Sequence, residues 1–104
     1  MEQYFEVAGT DLFICLPEEV DHFNSEKIRR EADRILQSRN IRRIIFDFSR
    51  TQFMDSSGIG VIMGRYKNMR FMGGTVTAVH VNERIRRILT LSGVCKVLNI
   101  SDMK

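Results

Sequence analysis

Phe53-Met54-Asp55-Ser56-Ser57-Gly58-Ile59-Gly60 joins two segments of different period. On its N-terminal side, Ile44-Ile45-Phe46-Asp47-Phe48 is a short β-branched and aromatic run with the composition of a buried strand. On its C-terminal side, Ile59, Ile62, Met63, Tyr66 and Met69 recur at the spacing of one helix face. The stretch is therefore read as a strand-to-helix turn, in which a side-chain oxygen of Asp55 or Ser56 caps the first free amides of the helix. Two hydroxyls, a carboxylate and two glycines are gathered at a positive helix end. In an α/β domain that end lies at the carboxyl edge of the sheet, where ligands and partners are met.

Working outward, Tyr4-Phe5-Glu6-Val7-Ala8 and Leu12-Phe13-Ile14-Cys15-Leu16 flank Gly9-Thr10-Asp11 and read as a hairpin, which Pro17 ends. Glu18 to His22 form an acidic loop. Asn24-Ser25 then caps a first helix with Glu26 in its first turn, Ile28, Ala32, Ile35 and Leu36 inward, and Arg29, Arg30, Glu31, Asp33 and Arg34 facing water. Gly73-Gly74 stops the helix that follows the central turn. Thr75 to Val81 form a further strand, and Asn82-Glu83 caps a third helix that buries Ile85, Ile88 and Leu89 and closes at Gly93. The order β-β-α-β-α-β-α predicts an α/β fold, a small mixed and mostly parallel sheet packed with helices.

A chain of 104 residues fits one domain, 1–104, able to bury a core without metal or disulfide. The net charge of +3 comes from charges scattered over several elements, too modest to imply a nucleic-acid partner. Cys15 and Cys95 have no CxxC spacing and read as small apolar residues of a reducing compartment, so no disulfide is predicted. The N-terminus lacks the pattern of a signal peptide, and no segment has the length and apolarity of a bilayer span. A cytoplasmic protein with no membrane partner is expected.

Phe53-Met54-Asp55-Ser56-Ser57-Gly58-Ile59-Gly60-Val61-Ile62-Met63-Gly64-Arg65-Tyr66-Lys67 closely resembles the signature of the STAS superfamily, and within it the anti-sigma factor antagonists of spore-forming bacteria. Ile41-Arg42-Arg43-Ile44, Gly73-Gly74 and Leu91-Ser92-Gly93-Val94 resemble the same family. The chain departs from it at Glu18, where members often carry glycine. The resemblance implies a single STAS domain that is no enzyme. In that role the unmodified chain binds an anti-sigma factor and frees a sigma factor for transcription, as in sporulation. The anti-sigma factor, a serine kinase, then inactivates it by phosphorylation, and a serine phosphatase of the PP2C type resets it. The phosphorylated serine of the family falls on Ser56, with Ser57 the alternative, and Asp21, Ser25, Asp55, Ser57 and Gly58 join Ser56 in the partner-binding surface. No cofactor is called for, and the free protein is expected to be a monomer. A second STAS role is a scaffold or lipid-transport accessory domain that uses the same helix face and never cycles through phosphate.

From local pattern alone Ser56 and Asp55 are helix caps, and the family match is what gives them a further role. Gly58 and Gly60 lack the third glycine and the lysine-hydroxyl pair of a phosphate loop, so close packing of the helix start is the simpler reading. A Ser-His-Asp arrangement of Ser56 with His22 and Asp21 is geometrically conceivable. Against it, Asp21 and His22 are adjacent in sequence, which makes it awkward for the carboxylate to orient the imidazole. His80 reads as a core or edge residue of its strand, with no partner at zinc spacing. Arg29, Arg30, Arg42, Arg43, Arg65, Lys67, Arg70, Arg84, Arg86 and Arg87 read as solvated helix faces rather than a nucleic-acid surface.

Overall fold

The computed structural model of the chain describes residues 4–101. In chain order its elements are β1 (Tyr4–Ala8), β2 (Asp11–Cys15), β3 (Glu19–Val20), α1 (His22–Ser38), β4 (Arg43–Asp47), β5 (Phe53–Met54), α2 (Ser56–Phe71), β6 (Thr75–Val79), α3 (Glu83–Ser92), a 3₁₀ turn (Val94–Lys96) and β7 (Asn99–Ile100). β1 and β2 pair antiparallel about Gly9, whose φ of 63° admits the tight turn. The remaining pairs of the main sheet are parallel, in the order β1-β2-β4-β6-β7. This is the mixed, mostly parallel sheet the sequence predicts.

Alternation along the strands decides which face the helices cover. Leu12, Ile14, Ile44, Phe46, Val76 and Ala78 point to one side and form a single core with Ile28, Ala32 and Ile35 of α1, Val61, Ile62 and Met69 of α2, and Ile85 and Leu89 of α3. Phe13, Ile45, Thr77 and Val79 point to the other side, where they line a shallow depression of about 360 Å³. The capping predicted for α3 is present, with Asn82 Oδ1 accepting from the Ile85 amide at 2.8 Å and Gly93 in the left-handed region at φ 84°. Cys15 is buried and Cys95 half-buried, and both are free thiols.

Four expectations need correction. The acidic loop and the Phe53-Met54 turn each contain a two-residue strand, and β3 pairs parallel with β5 as a separate small sheet (Glu19 opposite Phe53, Val20 opposite Met54). Segments this short have no period to read. In consequence α1 starts earlier than expected: its cap is Asp21, which accepts from the Asn24 amide at 2.9 Å, while the Asn24 side chain donates back to the Glu19 carbonyl at 2.8 Å. Second, β6 stops at Val79 and His80 takes a left-handed φ of 58° outside the strand, where the chain turns toward Asn82, whose side chain donates to the Thr51 carbonyl at 2.9 Å. Third, α2 buries Gly58, Val61, Ile62, Arg65 and Met69, while Ile59, Met63 and Tyr66 are only partly covered. Because the apolar residues of α2 are not confined to one side, glycine and arginine mark its inner face as well as hydrophobes do.

The fourth correction concerns charge. Arg65 is not solvated: it is 6% exposed between α1 and α2, and its Nε lies 3.1 Å from Asp33 Oδ1. The alignment is poor for a hydrogen bond, so the contact is mainly Coulombic. Burial lowers the Arg65 pKa, and the Asp33 charge opposes that shift. Asp33, read as facing water, is thus the counter-ion of a buried cation. The outer face of α1 does carry solvated pairs, Glu31 with Arg34 and Glu26 with Arg29 and Arg30.

Candidate functional site

The small β3/β5 sheet builds the site. Because the two strands are parallel and in register, the residues that follow them, Asp21 and Asp55, come out side by side, and each caps a helix. Their backbones are nearly identical, at φ −99°, ψ −176° for Asp21 and φ −97°, ψ −172° for Asp55. The N-termini of α1 and α2 therefore open next to one another, and two positive helix ends face the same patch of solvent. Asp55 N–H donates to the Val20 carbonyl at 3.2 Å, which ties the second cap to the first strand.

Between the sequence alternatives for the α2 cap, Asp55 is the one used: its Oδ1 accepts from the Ser57 amide at 2.8 Å and from the Gly58 amide at 3.3 Å. That leaves Ser56 as the first residue of the helix, exposed to solvent. The Ser57 hydroxyl turns toward α1, where its Oγ lies 3.3 Å from His22 Nδ1. Asp21 has spent its carboxylate on the Asn24 amide, and the imidazole approaches Ser57 rather than Ser56, so the conceivable Ser56-His22-Asp21 arrangement is not assembled.

The predicted partner-binding residues fall into two groups. Ser56 is exposed, and Asp21, Asp55 and Ser57 are partly so, all at the paired helix ends. Ser25 and Gly58 belong to the same region but are buried, Ser25 at 3% exposure. Gly58 does what close packing suggested and Gly60 does not: a Cβ at Gly58 would sit 2.4 Å from Met54 Cγ and 2.9 Å from Val20 Cγ1, whereas one at the exposed Gly60 would meet nothing within 4 Å. Gly58→Ala is accordingly expected to lower stability by about 1–2 kcal/mol, a clash cost of ~1–3 kcal/mol partly offset by alanine's helix propensity. Thermal unfolding measures it, and a Tm equal to or above wild type would contradict the packing account.

Sequence reasoning missed two exposed aromatics flanking the turn, Phe53 in β5 and Phe23 in the first turn of α1, at 49% and 66% exposure. The Lys27 ammonium sits 4.2 Å above the Phe23 ring. The available signal was position: Phe23 lies off the Ile28-Ala32-Ile35 stripe, so an aromatic there has no core to enter.

The STAS domain pattern matches residues 4–103 of this chain. The chain belongs to the STAS family. It is 40% identical over 91 residues to the anti-sigma F factor antagonist of Paenibacillus polymyxa, a match covering 88% of this chain and 78% of that protein. Its fold superposes on the anti-sigma factor antagonist SpoIIAA in its unphosphorylated form with a TM-score of 0.81, at 25% identity, over 98% of this chain and 89% of that one. The structure of the Bacillus cell fate determinant SpoIIAA in the phosphorylated form matches with a TM-score of 0.77 at 27% identity, over 95% of this chain and 90% of that one. In this STAS domain the strand-turn-helix signature forms the second of the two paired helix ends. Among the described residues no helix is long and apolar enough to cross a membrane.

Proposed function

We propose that this STAS domain is an anti-sigma factor antagonist switched by phosphorylation of Ser56. The observation that carries the reading is the exposed Ser56 hydroxyl at the first position of α2, held clear of the core by the Asp55 cap. The similarity to anti-sigma factor antagonists supports it. In the unmodified state the paired helix ends, with Asp21, Asp55 and Ser57 around Ser56, dock on an anti-sigma factor, with Phe23 and Phe53 as apolar anchors beside them. Docking releases the sigma factor in the cytoplasm.

The partner is itself the serine kinase. It supplies nucleotide, metal and base, so the chain is substrate and ligand rather than catalyst. The γ-phosphoryl group of ATP passes to Ser56 Oγ, the serine proton leaves to a base of the kinase, and ADP is the other product. A PP2C-type phosphatase returns the free hydroxyl by hydrolysis. Incubation with the cognate anti-sigma factor and ATP, followed by intact mass and peptide mapping, tests the step. One phosphoryl group on Ser56 is expected, and none on Ser56→Ala. An unmodified chain after complete partner binding would favour a non-switching STAS scaffold or lipid-transport accessory domain instead.

A further inference from the structure

The cations of α3 lack the counter-ions that other elements supply to theirs. On α1, Arg29 and Arg30 meet Glu26 and Arg34 meets Glu31, and on the sheet Arg43 meets Asp11. Among the described residues, Arg84 and Arg87 of α3 and Lys96 of the following 3₁₀ turn are exposed and have no carboxylate partner. Glu83, the one acidic residue of α3, stands in its first turn and pairs with neither arginine. Arg84, Arg87 and Leu91 follow at i, i+3 and i+7, so they share one stripe of the helix. Ile85 and Leu89 take the core side, which leaves Leu91 on the outer stripe at 82% exposure. An exposed apolar side chain beside unpaired arginines has the make-up of a contact surface.

The fold sets this stripe beside the Ser56 turn. Across that side of the molecule the elements run α1, β3, β5, α3. Asn82, at the start of α3, donates to the Thr51 carbonyl at 2.9 Å, two residues before Phe53. Half-exposed Phe53 therefore has acid on one flank and base on the other, with Glu18, Glu19 and Asp21 on the α1 side and Arg84 and Arg87 on the α3 side. A partner that covers Phe53 meets opposite charges on its two flanks, and one orientation of it matches both. We infer that the Arg84-Arg87 stripe of α3 is a second docking surface, which meets an acidic face of the anti-sigma factor and orients it over the Ser56 turn. This rests on the proposed function and adds to it the part of the chain that steers the encounter. Two arginines and a lysine are few contacts for nucleic acid, whose binding at physiological salt draws on many neutralised phosphates, and one exposed leucine is too little to anchor on a bilayer. Because the arginines are exposed and unpaired, their effect falls on the rate of encounter more than on the lifetime of the complex.

Stopped-flow kinetics of the chain with its cognate anti-sigma factor, at low and at high salt, tests the surface. For Arg84→Gln/Arg87→Gln, association at low salt is expected to be about tenfold slower than for the wild type, with dissociation changed less than about twofold and the association rates converging at high salt. The variant should keep the wild-type Tm, because neither arginine makes an ion pair or hydrogen bond in the fold. Arg34→Gln/Arg39→Gln removes the same charge at the C-terminal end of α1, and it should associate within about twofold of the wild type. Equal slowing in the α1 and α3 pairs would reduce the effect to net charge and overturn the docking surface. A wild type that fails to bind the anti-sigma factor at any salt would remove the proposed function and this surface together, whereas binding with no difference between wild type and the α3 pair would remove the surface alone. Cosedimentation of the wild type, but not of the α3 pair, with phosphatidylglycerol vesicles, alongside equal association rates, would reassign the stripe to an anionic membrane surface.

Discussion

Phosphorylation of Ser56 is expected to weaken binding to the cognate anti-sigma factor at least a hundredfold while leaving the thermal stability of the free domain within a few degrees of the unmodified form. The two halves of that outcome have separate causes. A phosphoserine brings about −1.5 to −2 charges and three acceptor oxygens. At the first position of α2 the helix dipole favours an anion by a few tenths to about 1 kcal/mol. Because Ser56 is exposed, a phosphoryl group can be added without displacing a packed side chain. Docking is different. The Asp55 carboxylate is the adjacent residue and already accepts the Ser57 and Gly58 amides, so those donors are not available to the phosphate. A partner closing over Phe23, Phe53 and the two aspartates would have to strip water from a dianion beside a second negative charge. A penalty of only ~3 kcal/mol is a hundredfold in Kd. Calorimetry with phosphorylated and unmodified protein, and with Ser56→Asp as a weaker mimic, measures it. Equal affinities would remove the switch, whereas a large fall in Tm on phosphorylation would replace surface exclusion with unfolding as its cause.

How far the sequence reached depended on whether a residue's role has a local signature. Ile44 to Phe48, the Asp55 turn, the Asn82 cap and Gly93 each announce themselves through composition or a required backbone conformation, and each is where it was expected. The β3/β5 pair has no such signature. Two residues cannot show a period, and their pairing depends on Gln52 and Phe53 amides both reaching the Glu18 carbonyl, at 2.7 and 3.2 Å, across more than thirty residues of chain. Missing that pair shifted the α1 cap from Asp21 to Asn24-Ser25 and turned Ser25 from a buried residue of α1 into a surface residue. The Ser56 environment survived the error, since its exposure depends only on the local turn. Arg65 failed for the opposite reason: a charged residue on a helix is nearly always solvated, and nothing nearby in the chain signals that Asp33, on another helix, waits for it.

That pair carries the largest expected effect on stability. Arg65 is almost wholly enclosed, with side-chain exposure of 8%, whereas Asp33 keeps 27% and has a second cation, Arg29, 3.6 Å from its Oδ2. The two ends of the contact are therefore unequal. Removing the carboxylate in Asp33→Ala leaves a desolvated guanidinium with only Arg29, a like charge, nearby, and Arg29 already depresses the Arg65 pKa. Deprotonation offers no escape near neutral pH, because a guanidinium keeps its proton even where burial lowers its pKa. A loss of about 3 kcal/mol is expected for Asp33→Ala, which in a domain of this size lowers Tm by more than about 10 °C. Arg65→Met removes the buried charge, keeps most of the apolar stem that fills the space between α1 and α2, and leaves behind a partly exposed carboxylate whose other oxygen still lies 3.6 Å from the Arg29 guanidinium, so its cost should stay near 1 kcal/mol. The double variant Arg65→Met/Asp33→Ala should then be more stable than Asp33→Ala alone, because methionine has removed the charge that the aspartate compensated. Denaturant unfolding of the four proteins closes the cycle. If Asp33→Ala proves harmless and Arg65→Met severe, the guanidinium holds the helices by packing and the Coulombic account of the α1–α2 interface is wrong.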